Sequence, residues 1–120
     1  MKYTKTHEWI DLEGDIGTVG VTEYAQSQLG DIVYVELPKL DSQVNLGEES
    51  AVLESTKAAA DVYSPVSGKI IQVNEELTKH PELVNVSAEQ KGWLFKIKLT
   101  NLQELDEMMS ESDYKMKNNI

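Results

Sequence analysis

The chain has 120 residues, 40% of them apolar and 27% charged, enough for one core that buries about two-thirds of the unfolded surface, and no apolar run approaches the roughly 18 residues of a membrane span. Its 21 acidic and 11 basic residues leave a net charge of −10, and every cation is Lys, which argues against a phosphate-backbone binder needing a cationic face and the Arg fork. Cys is absent and His occurs only at His7 and His80, so disulfides, thiolate or His-based metal sites and a Cys nucleophile drop out, and any sulfur chemistry must come from outside.

The first residues, Met1 to Thr6, hold no apolar or Arg/Ser-rich leader, so the expected location is the cytoplasm. Glu8 to Leu12 and Ile16 to Val21 alternate apolar and polar residues around a Glu13-Gly14-Asp15 turn, the pattern of antiparallel strands with one buried face. Thr22 is placed to N-cap a short helix with Glu23 in its first turn, Tyr24, Ala25 and Leu29 on its apolar side and Gly30 at its end. Further strands are expected at Asp31 to Leu37, Gly68 to Val73 and Trp93 to Leu99. In the last of these Trp93, Phe95, Ile97 and Leu99 point to the core and Lys96 and Lys98 to water. Asn74 to Leu77 reads as one helical turn stopped by His80-Pro81. Asn101 followed by Glu104 resembles a capping box, and Leu102, Leu105 and Met108/Met109 recur at helical spacing, so a packed helix is expected over about 101–110, with a polar tail that frays from Ser110.

Glu48 to Ala60 sets local rules against one another. Its propensity is helical, yet it lies between the turn-like Asn45-Leu46-Gly47 and Ser64-Pro65-Val66-Ser67-Gly68 and runs on into the strand-like Asp61-Val62-Tyr63. Two strands meeting at Thr56-Lys57 fit these flanks better. Such a turn lacks the Asn-Gly or Asp-Gly of tight hairpins, a departure expected where function overrides local preference, and it draws attention to Lys57. No calcium loop, phosphate loop, nucleophile elbow or ordered Ser, His and Asp set is present, so no self-contained enzyme signature is visible.

Glu54-Ser55-Thr56-Lys57-Ala58 resembles the lipoyl-attachment motif of the glycine cleavage H-protein family, whose lysine stands at a hairpin tip and receives lipoate in amide linkage. Further blocks resemble that family in its own order: His7-Glu8-Trp9, Gly20 to Gln26, Leu29 to Pro38, Asp61 to Gly68, Val73 to Leu77, Pro81 to Asn85 and Gly92 to Ile97. The resemblance spans Lys2 to Leu99 and most of the remainder. It implies a single lipoyl-carrier domain over 1–120. The expected fold is mostly β, a barrel-sandwich hybrid (the lipoyl/biotinyl type of β-sandwich) with a short helix near 22–30 and a C-terminal helix.

The resemblance further implies a monomeric, non-catalytic carrier with covalent lipoate on Lys57, set in its motif of Glu54, Ser55, Thr56 and Ala58, and no metal, nucleic acid or membrane. A pyridoxal-phosphate-dependent glycine decarboxylase would load the arm with the aminomethyl group of glycine. An aminomethyltransferase would pass the one-carbon unit to tetrahydrofolate, dihydrolipoyl dehydrogenase would reoxidise the dithiol, and lipoate-attaching enzymes would install the arm. Tethering gives each enzyme a high effective concentration of the reactive group. By the family pattern Glu8 and Asp61 lie near the groove that shelters the arm and are expected to contact it; read plainly, they are two of 21 acidic residues. His7, Trp9 and Trp93 are read as structural.

The chain departs from the family at Thr56, where Val is usual, at Leu40-Asp41-Ser42, and at Ser87 to Lys91. Two other carrier roles compete: a biotinyl carrier, whose lysine normally sits between two methionines that are missing here, and a lipoyl-relay donor to the carrier domains of 2-oxoacid dehydrogenases. An unmodified interaction module would leave the motif unexplained.

Overall fold

A computed structural model describes residues 1–120. The elements run β1 (Lys2–Tyr3), β2 (Glu8–Glu13), β3 (Ile16–Val21), α1 (Glu23–Leu29), β4 (Ile32–Glu36), β5 (Gln43–Val44), β6 (Glu49–Ser55) and β7 (Ala59–Tyr63). They continue with β8 (Gly68–Val73), α2 (Glu76–Lys79), α3 (Leu83–Val86), β9 (Phe95–Leu99), a 3-10 segment (Leu102–Glu107) and α4 (Glu111–Lys117). Six strands form one antiparallel sheet in the order β1-β2-β3-β9-β8-β5, and β4-β6-β7 form a second.

Period-two alternation explains why the two sheets share one interior. Val19, Val21, Ile70, Phe95 and Ile97 come from the larger sheet, and Ile32, Val35, Ala51, Leu53 and Val62 from the smaller, into one buried cluster. The mostly β architecture is therefore the expected sandwich. β3 and β8 keep the bounds read from the sequence, and Gly14, at φ 66°, lets the β2–β3 hairpin turn within two residues. Thr22 caps α1 by accepting the Ala25 amide at 3.1 Å. Gly30 ends it, as expected, at φ 85°, ψ −159°, a region open to glycine alone.

Three expectations near the C-terminal end need correction. β9 begins at Phe95, because the ladder becomes irregular before it: the Leu94 amide donates to the carbonyl of Val19, the residue already paired with Phe95, and the Trp93 carbonyl accepts the Asn74 side-chain amide. Leu94 is buried as a result, while Trp93 is only half-buried, with the Lys96 ammonium 5.5 Å from its ring centroid. The helix expected over 101–110 is a 3-10 segment that stops at Glu107. Glu104 does not close a capping box; its carboxylate accepts the Ser67 amide at 2.7 Å and the Ser67 hydroxyl at 2.8 Å. Leu102 is 53% exposed, so the packing stripe reduces to Leu105 and Met108.

The tail expected to fray carries α4. Ser110 caps it through the Asp113 amide, Glu111 and Asp113 occupy its first turn and Lys115 and Lys117 its last, which suits the helix dipole. Tyr114 is buried against Tyr3 and Trp9, its ring stacked on Tyr3 at 4.8 Å between centroids. Met109 pairs with Tyr3 across a β-bridge that ties the segment to β1.

A pair of truncations tests this account. Leu53→Ala, in the shared core, is expected to cost about 2–5 kcal/mol in urea denaturation, and Leu102→Ala less than about 0.5 kcal/mol. Comparable losses from both would contradict the corrected packing of the 3-10 segment.

Candidate functional site

Lys57 stands exposed between β6 and β7, which pair in register up to Glu54 and Ala59. Ser55 makes the turn. Its hydroxyl accepts the Lys57 amide at 3.2 Å and the Ala58 amide at 3.1 Å, and its own amide donates to the Ala58 carbonyl at 2.8 Å. The side-chain oxygen does the work of a backbone acceptor, and neither Thr56 nor Lys57 has positive φ, so no glycine is required. A third tie, from the Thr56 amide to the Asp31 carbonyl at 3.1 Å, fixes the tip to the connection between α1 and β4.

The lysine stem lies beside the end of α1. A methyl group added at Gly30 would come within 3.0 Å of Lys57 Cε and 3.8 Å of Nζ. That connection is itself braced by Asn85, whose side chain accepts the Ile32 amide at 2.8 Å and donates to the Gly30 carbonyl at 2.8 Å. Ala58 and Ala59 are exposed and add no bulk around the tip. Glu54 projects into solvent from β6 and does not line the groove described next.

A groove of about 350 Å³ lies between α1 and the smaller sheet, with Tyr24, Ala25, Gln28 and Leu29 on one side and Leu53, Ala60, Asp61 and Val62 on the other. Thr6, His7 and Glu8 close one side, so the structure brings Glu8 and Asp61, 53 positions apart in sequence, to one concavity. β7 links that concavity to Lys57. A larger hollow of about 630 Å³, bordered by Tyr3, Leu46, Pro65 and Met108, shares Thr6 and Glu8 with it but touches neither Asp61 nor α1. The smaller groove is the better candidate because it contains both carboxylates and borders the lysine hairpin.

The two carboxylates differ physically. Asp61 is exposed, whereas Glu8 is only 2% exposed and so is not one of the ordinary surface acids. The Glu8 carboxylate accepts the Thr4 hydroxyl at 2.6 Å, the Thr6 hydroxyl at 2.5 Å and the Tyr63 amide at 3.3 Å. No lysine or histidine pairs with either Glu8 or Asp61. Burial pushes the Glu8 carboxyl up from its ordinary range, and the three donated hydrogen bonds hold it back. The arrangement is an acceptor-rich pocket with an unpaired acid, suited to an amine or ammonium.

Sequence reasoning left several contributors out. His7 lines the groove at a left-handed φ of 75°, its ring 4.9 Å from that of Tyr24 and its Nδ1 2.7 Å from the Tyr114 hydroxyl. The structural, hydrogen-bonded reading of that histidine describes its Nδ1, although the ring also borders the site. Thr4, Thr6, Gly30 and Asp31 carry no signal beyond ordinary turn chemistry, and only their partners in space reveal their use.

A pH titration checks the state of Glu8. Because its native pKa is raised, the folded state holds the proton more tightly than the unfolded chain above the ordinary carboxyl value of 4.5. Stability should therefore fall as pH rises from that value through the raised one, and Glu8→Gln should remove this component. A wild-type minus Glu8→Gln difference in unfolding free energy that is flat across that window would refute the burial argument.

Comparison with known proteins gives these features a context. The family model described as Glycine cleavage H-protein matches residues 1–119. The glycine cleavage system H protein of Thermotoga maritima is 53% identical over 113 residues, covering 94% of this chain and 91% of that protein. That of Xanthobacter autotrophicus is 52% identical over 115 residues, covering 96% and 92%. A crystal structure of a glycine cleavage system H protein from Mycobacterium marinum superposes with a TM-score of 0.91 at 34% identity, covering 99% of this chain and 96% of that one.

Proposed function

The chain belongs to the glycine cleavage H-protein family, and from that premise we propose that it is the lipoyl-bearing carrier of the glycine cleavage system. It moves the aminomethyl group of glycine from glycine decarboxylase to aminomethyltransferase and electrons to dihydrolipoyl dehydrogenase. The chain itself is the shared substrate of these enzymes and not a catalyst. No helix is long and apolar enough to cross a membrane, and the bacterial relatives support a cytoplasmic place of work.

The observation that carries the reading is an exposed amine at the end of a strain-free hairpin, beside a groove with two unpaired carboxylates. The residues present fit a lipoyl arm: the stem of Lys57 passes glycine at position 30, Ala58 and Ala59 leave the tip open, and β7 leads toward the concavity. When bound, the lipoyl group supplies a dithiolane that accepts the one-carbon unit on sulfur and is afterwards reoxidised. Lys57 offers its primary amine for acylation, and the amide that forms carries no charge. Ser55 and Thr56 hold the tip through their hydrogen bonds, while Glu54 and Ala58 flank it as the rest of the attachment motif.

Glu8 and Asp61 are assigned to receive the N–H groups of a cationic amine brought into the groove. An ammonium beside Glu8 would offset the burial that disfavours its charge, so cation binding and carboxylate ionisation reinforce each other. α1 and the smaller sheet wall the groove on two sides and so shield part of whatever rests there.

Intact mass of the chain produced in a host with active lipoate ligase provides the test. A lipoyl increment confined to the peptide containing Lys57, and lost in Lys57→Arg, is the expected result. A biotin increment, or persistent absence of modification, overturns the assignment. Gene deletion should impair glycine catabolism; a defect restricted to 2-oxoacid oxidation would favour the lipoyl-relay role instead.

A further inference from the structure

Beside the groove runs a chain of hydroxyls that the carrier role does not by itself require. Thr22 Oγ1 accepts the Ala25 amide at 3.1 Å and lies 2.7 Å from the Tyr114 hydroxyl, which in turn lies 2.7 Å from His7 Nδ1. Thr22 is fully buried and Tyr114 is 3% exposed. The Thr22 hydroxyl hydrogen has one acceptor within reach, Tyr114, and the Tyr114 hydrogen then has only His7 Nδ1 left. Direction propagates from the helix cap to the imidazole. In the reverse direction Nδ1–H would donate to Tyr114 and Tyr114 to Thr22, leaving the buried Thr22 hydrogen without a partner.

We infer that Thr22 and Tyr114 are positioning residues that fix neutral His7 as its Nε2–H tautomer, so that the groove presents one uncharged N–H donor beside the acceptors Glu8 and Asp61. Resting on the reading of the groove as the seat of the lipoyl arm, this assigns His7 to an acceptor atom of the arm and the carboxylates to its amine. The tyrosine belongs to α4, twelve residues beyond the start of the 3-10 segment, so the end of the chain reaches the site through one hydroxyl.

Two further observations agree. Burial raises the Tyr114 phenol above its ordinary range, so the tyrosine retains the proton it must donate, and burial lowers His7, favouring the neutral ring. The aromatic contacts also limit ring reorientation: Tyr114 stacks on Tyr3 and meets His7 edge-on at 5.7 Å, while Tyr24 covers His7 from α1 at 4.9 Å.

Imidazole nitrogen NMR on the unlipoylated, isotope-labelled chain at a pH where His7 is neutral reads the tautomer directly, with His80, exposed and bonded only to Glu82, as the comparison signal. The wild-type His7 spectrum is expected to show Nε2–H with Nδ1 as acceptor. Tyr114→Phe keeps the ring stack and should release an Nδ1–H population. Thr22→Val leaves Nδ1 as the one acceptor within reach of the tyrosine hydrogen, so it should keep the Nε2–H form, and Thr22→Ser should keep it as well. A wild-type Nδ1–H tautomer, or a tautomer indifferent to Tyr114→Phe in folded protein, overturns the relay; the wild-type spectrum decides even if a variant fails to fold. Repeating the measurement on the lipoylated chain separates the two readings: a locked tautomer whose Nε2–H signal is unmoved by lipoylation leaves the relay standing and overturns the seating of the arm in this groove.

Discussion

The Ser55 hydroxyl allows a lysine to stand at the end of two paired strands. A two-residue hairpin ordinarily needs positive φ at its centre, because only mirror-image turns match the twist of the strands. Here one side-chain oxygen accepts two successive amide hydrogens, so Thr56 and Lys57 keep ordinary backbone angles and the tip does not need the glycine that would loosen it. The tie from the Thr56 amide to the Asp31 carbonyl sets the tip's position relative to α1, and α1 is one wall of the groove. Amine, hinge and groove are thus fixed by a few hydrogen bonds, while the sheets beneath supply rigidity.

Rigidity matters because Glu8 is held at a cost. A buried carboxylate with no cation opposite survives where hydroxyls and amides replace its water, as Thr4, Thr6 and the Tyr63 amide do. The Thr4–Glu8 loop that builds this cradle forces His7 to positive φ, a strain of about 1–3 kcal/mol for a non-glycine residue. It is offset by backbone bonds on both sides: the His7 amide donates to the Thr4 carbonyl and the His7 carbonyl accepts the Thr22 amide. The same bend that seats the acid aims the histidine toward Tyr114, so the features of this corner are one local solution.

Strand positions were legible in the sequence because alternation responds directly to one-sided burial, and β3 and β8 match residue for residue. The lysine hairpin was legible from its flanks, against its own helical propensity. Where the reading failed, long-range hydrogen bonds had overruled local patterns: Glu104 looks like a capping partner for Asn101, but Ser67 lies 37 residues away in sequence and takes both its oxygens. Glu8 looked like any surface acid because the burial of a single carboxylate depends on what folds over it. Tyr114 was invisible for the same reason, standing in a polar tail whose composition gave no hint of a partner.

That tail shows how little sequence is needed to order a segment when one side chain is well placed. α4 has seven residues, too few to be stable alone in water, and its favourable terminal charges and exposed Glu111–Lys115 pair, 3.8 Å apart, add at most tenths of a kcal/mol. What remains is the aromatic cluster of Tyr3, Trp9 and Tyr114, with Met109 bridged to Tyr3 to deliver the helix at the right angle. Since the Tyr114 hydroxyl ends at His7, docking of α4 places a hydrogen-bond partner on a residue that lines the groove. A chain lacking this contact would keep both sheets and the lysine hairpin, yet lose the fixed donor beside its two carboxylates.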